Sequence, residues 1–147
     1  MKAITLAPGE AEGAPLLLSE PLSFWGGLDV ETGRIIDRHH PEFGADVAGR
    51  VLMMAAGRGS SSGSAALAES LRRGVGPAAI LLLRRDGIVV VGALVAAELY
   101  GLVCPVALIP CDDWEAIATA GWVRVSGKPG LEGVVELDDD RRTGDTR

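Results

Sequence analysis

The sequence predicts an α/β domain on a mixed, partly parallel sheet, and three stretches carry that expectation. Val51-Leu52-Met53-Met54-Ala55 is a continuous apolar run bracketed by glycines, the pattern of a strand buried on both faces. Ala65–Arg73 has helical spacing, with Leu67 and Leu71 on one face and Glu69 within reach of Arg72 and Arg73 at i+3 and i+4. Ala79–Leu83 is a second apolar run. Strand, glycine-rich turn, helix and strand therefore follow in the order of a βαβ unit, which makes its two strands parallel.

The other elements fall around this unit. Residues 1–14 are polar and carry glycines, so they read as a loose end, and Pro15–Leu18 as a short strand. Residues 24–37 read as loops with one strand near Arg34–Ile36. Gly74, Gly76 and Pro77 stop the first helix. Gly92–Leu102, rich in Ala and Leu, predicts a second helix closed by Gly101. Val106–Ile109, Val123–Ser126 and Val134–Leu137 predict three more strands. Between them, Cys111–Trp122 holds a short helix-like stretch flanked by Trp114 and Trp122, both expected to pack. Asp138-Asp139-Asp140-Arg141-Arg142 runs into a charged, solvated end. The expectation is one domain over residues 1–147, loose at about 1–14 and 138–147.

Composition narrows the function. The chain has 147 residues, 48% of them apolar, enough for one packed core. Fourteen Lys and Arg against 20 Asp and Glu give a net charge of −6, which argues against holding a phosphate backbone. The runs Ala78–Leu83 and Ile88–Ala97 are split by Arg84, Arg85 and Asp86, and each falls well short of the roughly 20 residues of a spanning helix. Pro8, Gly9, Glu10 and Glu12 interrupt any signal-peptide core. Cys104 and Cys111 make no disulfide framework, so the expectation is a cytoplasmic protein with free thiols.

Gly57-Arg58-Gly59-Ser60-Ser61-Ser62-Gly63-Ser64 is the segment that points to chemistry. It reads as a flexible linker, as a plain turn with Ser64 as helix N-cap, or as an anion cradle. In the cradle, Gly57, Gly59 and Gly63 let backbone amides approach a ligand at a helix N-terminus. A P-loop is excluded, because the Gly-Lys-Ser/Thr ending is absent. Gly59-Ser60-Ser61-Ser62-Gly63 matches a nucleophile elbow, but that fold needs an acid and a His downstream, and both histidines lie upstream. Gly57-x-Gly59-x-x-x-Gly63 is also a loose dinucleotide fingerprint, and Arg84-Arg85 after the next strand would meet a 2′-phosphate. An NADP-binding oxidoreductase module therefore stays open at this point.

Several ordered motifs resemble the small subunit, or swivel domain, of the aconitase X family. They are Pro21-Leu22-Ser23-Phe24-Trp25-Gly26-Gly27-Leu28-Asp29, Thr32-Gly33-Arg34-Ile35, Gly57–Ser64, Gly92-Ala93 and Cys104-Pro105-Val106, spanning roughly residues 21–108. The resemblance implies a swivelling β/β/α domain that closes over a larger subunit carrying an iron–sulfur cluster. It also implies a dehydratase, acting on cis-3-hydroxy-L-proline or on phosphomevalonate. The glycine–serine turn is similar to Gly-x-Gly-Ser-Ser-Arg-Glu-His-Ala-Ala of true aconitases. Gly57-Arg58-Gly59-Ser60-Ser61 and Ala65-Ala66 match it without a gap, so the catalytic base falls on Ser60. Ser62 stands where aconitases have their substrate-binding Arg, and Ser64 where they have His. Without that bidentate clamp, a substrate with fewer carboxylates than a tricarboxylic acid fits better.

Removing a proton beside a carboxylate and expelling a β-hydroxyl needs a base on one side and a Lewis acid on the other. A serine acts as base only if its alkoxide is held by N–H donors and a nearby cation in a dry site. Arg58, Gly59, Ser61 and Ser62, with Gly26 and Gly27, are the expected substrate contacts. No metal is expected on this chain, because two thiols fall short of the about four ligands of a cluster. His39-His40-Pro41 reads as a surface loop rather than a zinc site, with His40 the one that would face substrate. Phe24-Trp25 reads equally as core or as pocket lip and partner contact, and Cys104 as a small buried hydrophobe.

Overall fold

A computed structural model of the chain describes residues 1–129 and 132–138. Eight strands, β1 (Lys2–Ala7), β2 (Gly9–Gly13), β3 (Pro15–Leu17), β4 (Val51–Met54), β5 (Ala79–Leu82), β6 (Val106–Leu108), β7 (Trp122–Gly127) and β8 (Glu132–Asp138), form one sheet. Its order is β2-β7-β8-β1-β6-β5-β4-β3. The run β3-β4-β5-β6 is parallel and the other pairs are antiparallel. Four helical segments, α1 (Phe24–Gly27), α2 (Ser62–Arg72), α3 (Gly87–Tyr100) and α4 (Cys111–Ala118), complete the described fold.

The two ends of the sheet, β2 and β3, are separated along the chain by Ala14 alone, so the sheet curls back on itself. The corner is tight. A Cβ at Gly13 would lie 2.3 Å from Gly49 O, and Ala14 O accepts from Val51 N–H at 3.0 Å. Arg50 pins the same corner by donating from its guanidinium to Ala14 O and Pro15 O.

Curling divides the apolar residues between two cores, as strand alternation requires. Leu52, Met54, Ile80, Leu82 and Val106 face α2 and α3, joining Leu67, Leu71, Val89, Ala93 and Ala96. Val51, Met53, Ala79, Leu81 and Ala107 face the other half of the sheet, joining Val123, Val125 and Val135. Trp114 and Ile117 of α4 belong to this second core. The layers are thus β, β and α, as the resemblance implies.

The structure corrects several boundaries. Residues 1–13 are not a loose end: they supply β1 and β2, held by pairing to β6, β8 and β7. Glu12 on β2 bonds to Arg124 Nε at 2.8 Å and Trp122 Nε1 at 3.2 Å across the pair, which no local pattern announces. At the other end Asp138 closes β8, and the expected tail beyond it lies outside the described residues. The strand expected near Arg34–Ile36 reduces to isolated bridges, Leu28 with Ile35 and Arg34 with Asp46. The helix expected from Gly92 begins at Gly87, because Asp86 caps it. Gly101, at φ +65°, ends it as expected.

α2 and α3 cross closely at Gly92, where an added Cβ would sit 2.9 Å from Ser64 O and 3.0 Å from Leu67 Cδ2. Gly92→Val is expected to lower unfolding stability by about 1–3 kcal/mol through overpacking. At Gly87 a Cβ meets nothing within 4 Å, so Gly87→Ala should be neutral or stabilise by about 0.4–1 kcal/mol. Urea unfolding of the two variants beside the parent measures both.

Candidate active site

β4 ends at Met54 and α2 starts at Ser62, so residues 55–61 form the loop at the C-terminal edge of the parallel strands. Ala55 O accepts from Leu83 N–H at 3.0 Å and Arg84 N–H at 2.9 Å, which clamps the exits of β4 and β5 together. Beyond the clamp the loop is seated at two points. A Cβ at Gly57 would lie 2.5 Å from Asp86 Oδ2, and one at Gly59 would lie 2.3 Å from Ser23 Oγ. Gly59 also has φ +104°, a conformation that disfavours any side chain. The first and second glycines thus let the loop lie against protein, and Gly63 packs likewise against Ile88. They do not hold a gap open for a dinucleotide.

Ser23 connects the loop to the short turn α1. Its hydroxyl donates to Trp25 O at 3.0 Å, Gly26 is exposed with φ +79°, and Gly27 packs against Leu22. The expected pair Phe24-Trp25 divides: Phe24 is buried in the core and Trp25 is 65% exposed beside the loop. Arg58, Gly59, Ser60, Ser61 and Ser62 are all exposed. The structure therefore brings the glycine–serine loop and the Gly26–Gly27 turn together on one edge through the Ser23–Gly59 contact.

The N-terminus of α2 carries no side-chain cap. Ser61 occupies the N-cap place with αR backbone angles and makes no side-chain bond to the helix. Ser64, expected as the cap, lies inside α2 and donates to Ile88 O at 2.7 Å, tying α2 to α3. Gly63 N–H and Ser64 N–H close the first turn on Ser60 O at 2.9 Å and Ser61 O at 3.1 Å, so the donors open to a ligand are the loop amides ahead of them. Ser61, Ser64, Arg85, Asp86, Gly87, Ile88 and Val91 line an open groove of about 590 Å³ between the two helix starts. The N-terminus of α2 and the exposed Arg58, Arg84 and Arg85 outweigh the Asp86 carboxylate that caps α3, which makes this edge locally positive on a net acidic chain. Such a field favours a carboxylate and lowers the cost of forming an alkoxide.

Asp86 and Ser23 are the residues the motif reading passes over. Asp86 Oδ1 accepts from Ile88 N–H at 3.0 Å and Val89 N–H at 3.1 Å, while Oδ2 abuts Gly57. One carboxylate therefore caps α3 and sets the loop. Its signal was present, an Asp-Gly pair directly before an apolar run. Ser23 has no comparable local signal, since its partner lies 36 positions away at Gly59.

His40, expected in a surface loop, is buried. It is 4% exposed, and its Nδ1 accepts from Glu42 N–H at 3.1 Å, which leaves Nε2–H to donate to Glu20 O at 3.0 Å. The ring braces the segment leading to Ser23. His39 is exposed. Cys104 sits before β6, at the end of the parallel strands opposite the loop, and burial pushes its thiol up from 9.0 to about 12. Cys111 is exposed at the start of α4. Cys104 is buried in the first core and Cys111 is exposed on α4, so the two thiols do not form a ligand set for a cluster. Among the described residues, no group of three or more His, Cys, Asp and Glu side chains is arranged to hold a metal. No described helix is long and apolar enough to cross a membrane.

Asp86→Ala removes the cap and should cost about 1 kcal/mol of stability, whereas Asp86→Asn keeps an acceptor for the same amides and should cost a few tenths. Urea denaturation of both variants checks this. Cysteine labelling tests the burial difference: iodoacetamide at pH 8 should modify Cys111 alone, with Cys104 reacting only in denaturant, as read by mass spectrometry. Because folding raises the Cys104 value, unfolding releases a proton above the ordinary range. Stability should therefore fall as pH rises from about 9 to about 12.

The chain matches the family described as the aconitase X swivel domain over residues 1–137. It is 40% identical over 131 residues to a cis-3-hydroxy-L-proline dehydratase of Hypocrea jecorina, and 41% identical over 136 residues to one of Pseudomonas aeruginosa. Those matches cover 89% and 92% of this chain but 22% of each relative, so the chain spans about a fifth of their length. A phosphomevalonate dehydratase small subunit of Methanothermobacter thermautotrophicus is 40% identical over 91 residues, 62% of this chain and 70% of that one. The crystal structure of Thermococcus kodakaraensis aconitase X superposes with a TM-score of 0.76 at 29% identity, covering 92% of this chain and 98% of that chain. The expected fold is confirmed, and the chain belongs to the aconitase X swivel-domain family.

Proposed function

We propose that this chain is the small subunit of an aconitase X hydro-lyase, a cytoplasmic dehydratase whose active site it shares with a larger subunit. The observation that carries this reading is the exposed Ser60 loop, fixed from beneath by Asp86 and Ser23 at the uncapped start of α2. Ser60 is the base that takes the proton from the carbon beside the substrate carboxylate. Arg58 and the amides of Gly59, Ser61 and Ser62 bind that carboxylate, and the Gly26–Gly27 turn bounds the substrate on the Ser23 side. The alkoxide form of Ser60 is stabilised by the helix N-terminus and by Arg58 once water is excluded. The thiols of this chain do not fit a cluster, so an iron–sulfur cluster is assigned to the larger subunit.

Cis-3-hydroxy-L-proline is the preferred substrate. The two hydroxyproline enzymes are 40% and 41% identical across 89% and 92% of this chain, whereas the phosphomevalonate small subunits of Methanosarcina acetivorans and Pyrococcus furiosus, which match 93% and 95% of it, are each 31% identical. Phosphomevalonate is the second reading, and that same similarity supports it. Both substrates have one carboxylate, in keeping with Ser62 at the place of the aconitase Arg.

The experiment is dehydratase assay of the chain reconstituted with its large subunit, on both substrates. Ser60→Ala should remove turnover by about 10⁴-fold, the upper end for loss of a general base, with subunit association intact. Ser61→Ala and Ser62→Ala should act mainly on KM, by about 1–2 kcal/mol each. If Ser60→Ala keeps turnover within about tenfold of the parent while Ser61→Ala is dead, the base is Ser61.

A further inference from the structure

α3 is apolar on the side that faces away from the core. Val89, Gly92, Ala93 and Ala96 point inward. The opposite ridge, where a surface helix normally carries charge, presents Val91 at 49% and Leu94 at 44% exposure, flanked by Val90 and Val95. From Gly87 to Ala97 the helix has no charged residue, and the first is Glu98. A helix that is apolar all round is normally covered on both sides.

This uncovered ridge shares an edge with the candidate active site. Ile88 and Val91 line the same groove as Ser61 and Ser64, and Ser64 is bonded to Ile88. On the far side of the loop stands Trp25, 65% exposed. The serine loop thus lies between two exposed apolar features, the arrangement in which a docked surface excludes water from a polar centre.

We infer that the outward face of α3, with Trp25, is the docking surface for the larger catalytic subunit. This inference rests on the proposed function and adds where the partner sits. Two observations choose that occupant. In the Hypocrea and Pseudomonas relatives this domain is 22% of a single chain, so a larger body is covalently within reach of it. A second copy seated on the same face would seal one serine loop against another and would bring neither a Lewis acid nor an acid for the leaving hydroxyl.

The test is binding of this chain to the large subunit, by calorimetry and size-exclusion chromatography, with Leu94→Glu, Val91→Glu and the double variant. Both positions are exposed, and circular dichroism with thermal melts verifies that the variants fold. Val134→Glu, at an exposed position on β8 in the other layer, is the control. Each α3 variant should weaken association about tenfold or more and the double variant about a hundredfold, with Val134→Glu within about threefold. Turnover of Leu94→Glu should recover at saturating large subunit. If the parent binds and the double variant binds within about threefold of it, the α3 face is not the docking surface, while the proposed function stands. If the parent instead forms a homodimer that Leu94→Glu dissolves, the occupant is a second copy and the inference is overturned. Failure of the parent to associate with the large subunit at all overturns the proposed function, and this inference with it.

Discussion

Everything at the candidate site depends on β4 being buried on both faces. Val51, Leu52, Met53 and Met54 are all at 0% exposure, with alternate residues in the two cores. Each such side chain contributes about 1.5–3 kcal/mol on burial, and a slip of one residue would exchange every one of them between layers. The register is therefore fixed by packing on both sides, and the exit of β4 emerges at one place. The Ala55 carbonyl, shared by two amides from the end of β5, carries that precision one residue further. The glycine–serine loop starts from a point that is settled before any loop residue makes a contact.

From that point the loop is positioned by what its neighbours lack. Gly57 and Gly59 have no side chains because Asp86 Oδ2 and Ser23 Oγ occupy the space a Cβ would need. A glycine–serine stretch of this composition would be a flexible linker between separate bodies. Here it is drawn between a clamped strand end and an anchored helix, with close contacts on both sides. The same glycines that suggest mobility in a sequence are the condition for close seating in the fold. Asp86 links this to the second helix, since one carboxylate both caps α3 and meets the loop.

The legible parts of the sequence were those specified locally. β4, α2 and β5 announce themselves because their apolar runs and helical spacing are strong and are bracketed by glycines. β1 and β2 do not, because Gly9-Glu10-Ala11-Glu12-Gly13 has a weak strand preference and becomes a strand only by pairing with β7, where Glu12 meets Trp122 and Arg124. The start of α3 was obscured by β-branched residues, Ile88 to Val91, which favour strands; the Asp86 cap outweighs that preference. The motif that carries the family, Gly57–Ser64, was legible as a motif. Its geometry was not: Ser23 lies 36 residues before Gly59, and His40 is buried through the Glu20 carbonyl, 20 residues away. Ser64 reads as a cap by type and position, yet its hydroxyl goes to a neighbouring helix.

On the proposed reading, the arrangement separates two requirements of a serine base. One is a fixed position, which this fold meets by itself through β4, Asp86 and Ser23. The other is a medium in which dipoles and cations act strongly, and an exposed loop lacks it. In water at physiological salt, charges are screened over about 8 Å. The interaction of Arg58 with an alkoxide would be several-fold weaker there than in a closed pocket. Covering the loop alters no bond within this domain, but it replaces high-dielectric solvent by low-dielectric protein around groups already in place. On the proposed reading, the small subunit carries the preorganised half of the site, and association supplies the dielectric half. The exposed apolar ridge beside the loop is then the feature that makes the transition from open to covered favourable, since the area it buries is gained only when water leaves the serine.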